Sequence, residues 1–334
     1  YSYYIKRGKR MDLMGRGQPI LIMAAAIIGI VLGDVTPLGA APSTAVEIFL
    51  MMLLFVLFLS VDLRKVSGSF ANIRFTGAAL AINFLFTPVL AYLLGIIFFP
   101  DSVDIRIGLL MLLVTPCTDW YIVFTGMSKG NVELGLSILP LNLILQIVLM
   151  PVYLLVFIGD GADMHTASLL VDMAVVLAVP LAASLIFKRA FGTHERIWNA
   201  LSEKGDHLQL LFLCLAVAAM FASEGDTLMD NPAMLLELFI PLLIFFTVLL
   251  AVAQAIGRGL GFPRRDIVSL NFTTLARNSP LALAVAVATF PDSPLISLAL
   301  VIGPLIELPV LSLISAALLK WNTKEGPKTS DGCP

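Results

Sequence analysis

Apolar residues gather in ten runs, at 18–33, 43–61, 75–99, 105–126, 132–158, 169–187, 208–222, 232–256, 267–290 and 294–319. Most are close to the about 20 residues that an α-helix needs to cross a hydrocarbon core about 30 Å thick. The connectors are short and rich in Gly, Pro, Asp and Ser, as turns require. The pattern predicts an all-α polytopic membrane protein with ten transmembrane helices. The basic segment 1–17 has no small-residue cleavage site after the apolar stretch that follows, so that stretch reads as a first span rather than a signal peptide.

Two runs are broken at their middles. Thr115-Pro116-Cys117-Thr118-Asp119-Trp120 interrupts the fourth, and Ala276-Arg277-Asn278-Ser279-Pro280 interrupts the ninth, about 160 residues later. Pro116 and Pro280 each remove a backbone donor and crowd the preceding turn, so each helix must kink or split. Within a membrane, freed backbone groups persist only where protein or a water-filled cavity satisfies them. An ionisable side chain at that depth, Asp119 in one break and Arg277 in the other, is costly and marks a pathway or site.

Charge orients the pattern. With the N-terminus inside, 19 of the 21 basic residues fall in inside segments, leaving Arg106 outside and Arg277 in the membrane. The outside loops carry Asp34, Asp101, Asp104, Asp160, Asp163, Glu224, Asp226, Asp230 and Asp292 instead. This positive-inside bias predicts both termini in the cytoplasm and an even number of spans. Composition agrees, at 59% hydrophobic and only 13% charged, against roughly a quarter charged in soluble domains. A plasma membrane, bacterial or archaeal, is the expected location.

The chain also resembles itself. Phe86-Thr87-Pro88 of the third span parallels Phe239-Ile240-Pro241 of the eighth, and the two breaks correspond. Asn142 to Gln146 in the fifth span parallels Gly303 to Glu307 in the tenth. Five helices form an odd unit, so a second copy must be inverted. The expected organisation is a cytoplasmic segment 1–17, a first repeat 18–158, an inverted second repeat 159–320 and a cytoplasmic tail 321–334. Interrupted spans at corresponding places in inverted repeats point to a transporter whose site lies between them.

Counting about 1.5 Å per residue brings Cys117, Arg277, Asn142 and Glu307 to one level near the midplane. Cys117, Thr118, Asp119, Arg277, Asn278 and Ser279 are the candidate substrate-binding residues. Two half-helix N-termini facing the midplane favour an anion or a polar oxygen ligand. Thr118 or Asp119 reads as the N-cap of the inner half of the fourth span, and Ser279-Pro280 as N-cap and first residue in the ninth. A structural Asp119–Arg277 ion pair is an equal expectation. Asn142, Gln146 and Glu307 are the candidate ion-coupling residues. Glu307 must be protonated, paired with Arg277 or bound to a cation, and the two amides supply oxygens for a hard cation or bonds between helices.

Cys117, Cys214 and Cys333 are too scattered for a disulfide framework or a closed metal site. There is no H-E-x-x-H sequence and no nucleotide loop, and one deep aspartate does not make an aspartyl protease. The expectation is therefore no enzyme, no bound metal and no cofactor beyond a coupling proton or Na+. The expected partners are the lipid bilayer and a small inorganic or organic solute, with no nucleic acid.

Pro116-Cys117-Thr118-Asp119-Trp120, Gly126-Met127-Ser128-Lys129-Gly130, Leu139 through Gln146 and Pro151-Val152-Tyr153 resemble the helix 4–5 region of arsenite efflux permeases. Ile302-Gly303-Pro304-Leu305-Ile306-Glu307-Leu308-Pro309-Val310 is similar to that family's helix 10 motif. Those permeases stand with the sodium–bile acid symporters in the bile acid/arsenite/riboflavin transporter superfamily. The resemblance implies ten helices in two inverted repeats, forming a panel and a core domain, with broken helices 4 and 9 crossed in the core. It implies functional roles for Cys117 and Glu307. Pro116, Thr118, Asp119 and Arg277 depart from the usual arsenite pattern. The implied activity is arsenite efflux in exchange for protons; the alternative is a sodium-coupled organic anion symporter, whose anion Arg277 would hold.

Overall fold

The computed structural model describes residues 21, 23–33, 41–60, 72–118, 120–158, 166–191, 195–230 and 234–323. Asp119, segment 1–17 and the tail beyond Thr323 lie outside them. The described chain is helical, and its only strand-like feature is an isolated antiparallel bridge between Pro116 and Arg277.

In order the helices are α1 (Met23–Gly33), α2 (Ala41–Ser60), α3 (Ile73–Phe98), α4 (Val103–Leu113), α5 (Trp120–Met127) and α6 (Val132–Ile158). There follow α7 (Thr166–Phe191), α8 (Glu195–Asp230), α9 (Met234–Gly259), α10 (Arg264–Leu275), α11 (Ser279–Thr289) and α12 (Pro294–Thr323). Among the described residues four stretches, Ile73–Phe98, Val132–Phe157, Leu236–Gly259 and Pro294–Trp321, are long and apolar enough to cross a bilayer. The fourth and ninth predicted spans each occur as two helices, α4/α5 and α10/α11, split at the two breaks.

Burial is arranged for lipid rather than water. Leu85, Leu236 and Leu313 are each more than 70% exposed, while Asn83, Asn142, Gln146, Asn271 and Thr274 are fully buried. A bilayer rewards apolar surface outside and leaves polar groups to be satisfied within.

One group of contacts joins α1, α2, α7 and α8. Gly29 and Gly33 of α1 lie on Ala218 and Ala222 of α8, so close that a Cβ on Gly29 would collide with the Ala218 carbonyl oxygen. Small residues four apart permit this approach where lipid offers no hydrophobic drive. The other group joins α3–α6 with α9, α10 and α12, and α11 packs against both groups. There Gly108 of α4 meets Ile296 and Ala299 of α12, and Gly303 of α12 meets Leu112. That contact draws Glu307 toward the break after α4.

Helix α3 contains a π turn at Ile82–Phe86. Pro88 cannot donate to the Phe84 carbonyl four residues back and crowds it, so the helix widens. The Tyr153 hydroxyl of α6 takes over, donating to Phe84 O at 2.7 Å. The same turn swings Asn83 into the interior. At the far end of α5 the chain turns through Lys129, whose φ is 57°. Asn131 then ties α6 to α10, its N–H donating to Arg265 O at 3.0 Å and its amide to Asp266 Oδ1 at 2.8 Å.

Candidate functional site

The two breaks lie against each other as a short antiparallel pair. Cys117 N–H donates to Ala276 O at 2.9 Å, and Asn278 N–H donates to Thr115 O at 2.8 Å. Pro116 and Arg277 face each other between these bonds, at positions whose own N–H groups point away from the partner. A proline therefore costs the pair nothing. Arg277, in the matching place, turns its N–H outward to Glu307 Oε1 at 2.8 Å. The local arrangement is two-fold related, with Cys117 matched to Asn278 and Ala276 to Thr115.

Splitting two helices leaves carbonyls at the ends of α4 and α10 without intrahelical donors. Every one of them is answered. Thr115 Oγ1 donates to Met111 O and Leu112 O, both at 3.0 Å. Arg277 Nη1 donates to Leu113 O at 2.8 Å. Across the pair, Asn83 Nδ2 donates to Thr273 O at 3.2 Å. Arg277 Nη2 donates to Thr274 O, and Nε to Leu275 O at 3.2 Å. Nη2 also reaches Asn83 Oδ1 at 3.4 Å, and the guanidinium carbon lies 5.1 Å from the centre of the Phe245 ring.

The N-cap of the second outgoing half-helix differs by one residue from the one expected. Asn278, not Ser279, is the N-cap of α11: its Oδ1 accepts Leu281 N–H at 3.2 Å, which makes Ser279 and Pro280 the first two helical residues. In the first break Cys117 Sγ accepts Trp120 N–H at 3.3 Å. The thiol holds the place in its break that an asparagine amide holds in the other.

Among the expected site residues, Pro116, Cys117, Arg277, Asn278 and Glu307 are joined by these bonds. Thr118 and Ser279 are buried beside them in the chain, and Pro280 opens α11. Asp119 lies outside the described residues, and the Arg277 guanidinium is engaged by carbonyls and Asn83. Asn142 and Gln146 are fully buried one turn apart on α6.

Several buried polar atoms have no partner among the described residues, including Thr87 Oγ1, Asn271 Oδ1 and Thr273 Oγ1, and four of the expected site residues contribute to the set. Both amide atoms of Asn142, both of Gln146, Asn278 Nδ2 and Ser279 Oγ are buried without a hydrogen-bond partner among the described residues. Groups of this kind are able to bond a polar solute, an ion or water. Ser279 lines a crevice between α8, α11 and α12 with Leu213, Val217, Leu283, Val301 and Pro304.

Two contributors escape a reading of the sequence. Asn83 carries no charge and lies in an apolar run; only its closeness to Pro88 signals a distorted turn. Thr115 is visible in the break, but its role follows from which carbonyls the break frees.

The model of the Sodium Bile acid symporter family matches residues 47–231 of the chain. The Arsenical-resistance protein Acr3 of Corynebacterium glutamicum is 26% identical, over 96% of this chain and 91% of its own length. The Arsenical-resistance protein Acr3 of Alkaliphilus metalliredigens is 23% identical over 92% of both chains. An uncharacterized transporter of Synechocystis, slr0944, is 20% identical over 93% of this chain and 89% of its own.

Proposed function

The chain belongs to the sodium bile acid symporter family of membrane transporters, and on that premise we propose that it exports a trivalent arsenic species, arsenite or neutral arsenous acid, in exchange for protons. The observation that carries this reading is the Cys117 thiol, set in the backbone pair beside the Asn278 Nδ2 donor and the Ser279 hydroxyl, neither of which has a partner among the described residues. A soft sulfur with neutral donors and acceptors suits a neutral metalloid hydroxide better than a charged organic acid. Similarity to two arsenical-resistance proteins over nearly the whole chain supports the same substrate.

Glu307 is the proton carrier in this reading. Ionised, its carboxylate accepts the Arg277 N–H and holds α12 against the paired breaks. Protonation weakens that acceptor and frees the contact to rearrange. Asn142 and Gln146 complete the polar interior. We read the fold as two inverted five-helix repeats in which α1, α2, α7 and α8 form a panel and the remaining helices a core. The two-fold bonding around Pro116 and Arg277 supports it. Relative motion of panel and core exposes the site alternately to each side.

The organic anion alternative draws no support from Arg277, because its guanidinium is spent on carbonyl oxygens. The test is uptake of arsenite into everted vesicles. Uptake should require an imposed pH gradient and drop sharply in Cys117→Ala. Normal transport by that variant, or transport driven by Na+ instead, would overturn the reading.

A further inference from the structure

The Arg277 guanidinium is surrounded by oxygen acceptors. Four oxygens receive it: Leu113 O from the end of α4, Thr274 O and Leu275 O from the end of α10, and Asn83 Oδ1 from the π turn of α3. All four are neutral carbonyl oxygens. Two helix C-termini contribute their negative dipole ends to one point. Phe245 adds the face of its ring. Unwound carbonyls and half-helix C-terminal ends are the groups with which broken membrane helices hold Na+. Hard cations select such neutral oxygen donors.

We propose that the Arg277 guanidinium is a tethered cation standing in an oxygen site that Na+ would otherwise fill, and that this residue makes the paired breaks independent of Na+. Three facts join here. The charge reaches the site along the same chain that forms it, so it cannot leave during a transport cycle. It accounts for every carbonyl that Thr115 and Asn83 leave over at the ends of α4 and α10. It also leaves Glu307 as a carboxylate of the breaks that no metal needs to neutralise, which suits a proton carrier. This inference rests on the proton-coupled reading only for the identity of the driving ion. The cage is read from the contacts alone, so ion binding tests it and transport does not.

A side chain that merely caps two helices would be lost without consequence for ion binding. The experiment compares melting temperatures of purified wild type, Arg277→Gln and Arg277→Lys in NaCl and in choline chloride at equal ionic strength. Wild type and Arg277→Lys should melt alike in the two salts. Arg277→Gln should melt lower in choline and recover by several degrees in NaCl, with saturation. Adding Asn83→Leu to Arg277→Gln should abolish that recovery. The proposal is overturned if Arg277→Gln shows no difference between the salts, whether it stays folded or unfolds in both. It is equally overturned if wild type gains as much from Na+, or if the double variant still responds. Arsenite uptake by wild-type vesicles reports separately on the substrate: its failure beside a Na+ response in Arg277→Gln removes the arsenite reading and leaves the cage intact.

Discussion

Arg277 gives its backbone N–H to Glu307 Oε1 at 2.8 Å, while Pro116, which faces Arg277 across the paired breaks, has no N–H to give. Among the described residues the two breaks thus differ at the hydrogen bond that links one of them to a carboxylate. Gln146 stands where the sequence parallel places the counterpart of Glu307, and its amide is without a partner among the described residues. A near-symmetric frame with one titratable link is a simple way to make a rearrangement depend on a single proton.

Glu307→Gln should separate binding from coupling. An amide oxygen still accepts the Arg277 N–H, so the folded protein keeps its melting temperature to within a few degrees. The side chain no longer titrates in the working range. Substrate exchange at equal pH should persist while uptake driven by a pH gradient is lost. Glu307→Ala should instead destabilise by about 1–3 kcal/mol, because it leaves a buried N–H unpaired. Gradient-driven uptake by Glu307→Gln at the wild-type rate would exclude the carboxylate from coupling.

Cys117 carries two duties that substitution can divide. Its sulfur accepts Trp120 N–H at the start of α5, and it is the soft contact of the proposed site. Serine is a preferred N-cap residue and can accept the same N–H, whereas alanine cannot, at a cost of about 1 kcal/mol. Cys117→Ser should therefore melt at or above the wild-type temperature, and Cys117→Ala below it. Both should lose arsenite transport. Retained transport in Cys117→Ser would reduce the thiol to a cap.

The contact between α1 and α8 predicts a stability effect remote from the site. A Cβ at Gly29 would collide with Ala218 O, so even alanine must push the two helices apart. Gly29→Ala should cost about 1–3 kcal/mol, in the range of overpacked interiors. Gly77 of α3, where a Cβ would meet nothing within 4 Å, is the control. There alanine should be neutral or stabilising by about 0.5–1 kcal/mol through its higher helix propensity. Thermal melts of the two variants in the same detergent compare them directly.

Helix positions and the two breaks were legible because they rest on local chemistry: apolar run length, and Pro116 and Pro280 within such runs. The meeting of Arg277 with Glu307 was legible as shared depth. The Arg277 contacts were not. A buried arginine suggests an aspartate or an anion as its partner, but the carbonyls that receive this one are created only when α4 and α10 end beside each other. The N-cap of α11 was misplaced by one residue because Asn278 and Ser279 are both good caps, and local propensity cannot choose between them. Asn83 acquires its role only through the π turn that Pro88 induces.

The unpartnered amides of α6 make a prediction in which stability and function move in opposite directions. Asn142 and Gln146 are fully buried, and neither has a hydrogen-bond partner among the described residues. Each unsatisfied group costs about 1–3 kcal/mol, and an apolar side chain of similar volume removes that cost. Asn142→Leu and Gln146→Met should therefore raise the melting temperature of the substrate-free protein. If the amides serve a passing solute or ion, the same variants should lose transport, with the penalty appearing in the substrate-loaded state. Bonds between helices, the other expectation for these residues, require the reverse: lower melting temperatures with transport scaled only by the amount of folded protein. Melting curves and uptake measured on the same two preparations decide between them, and a variant that is both less stable and fully active would place the amides outside the transport path.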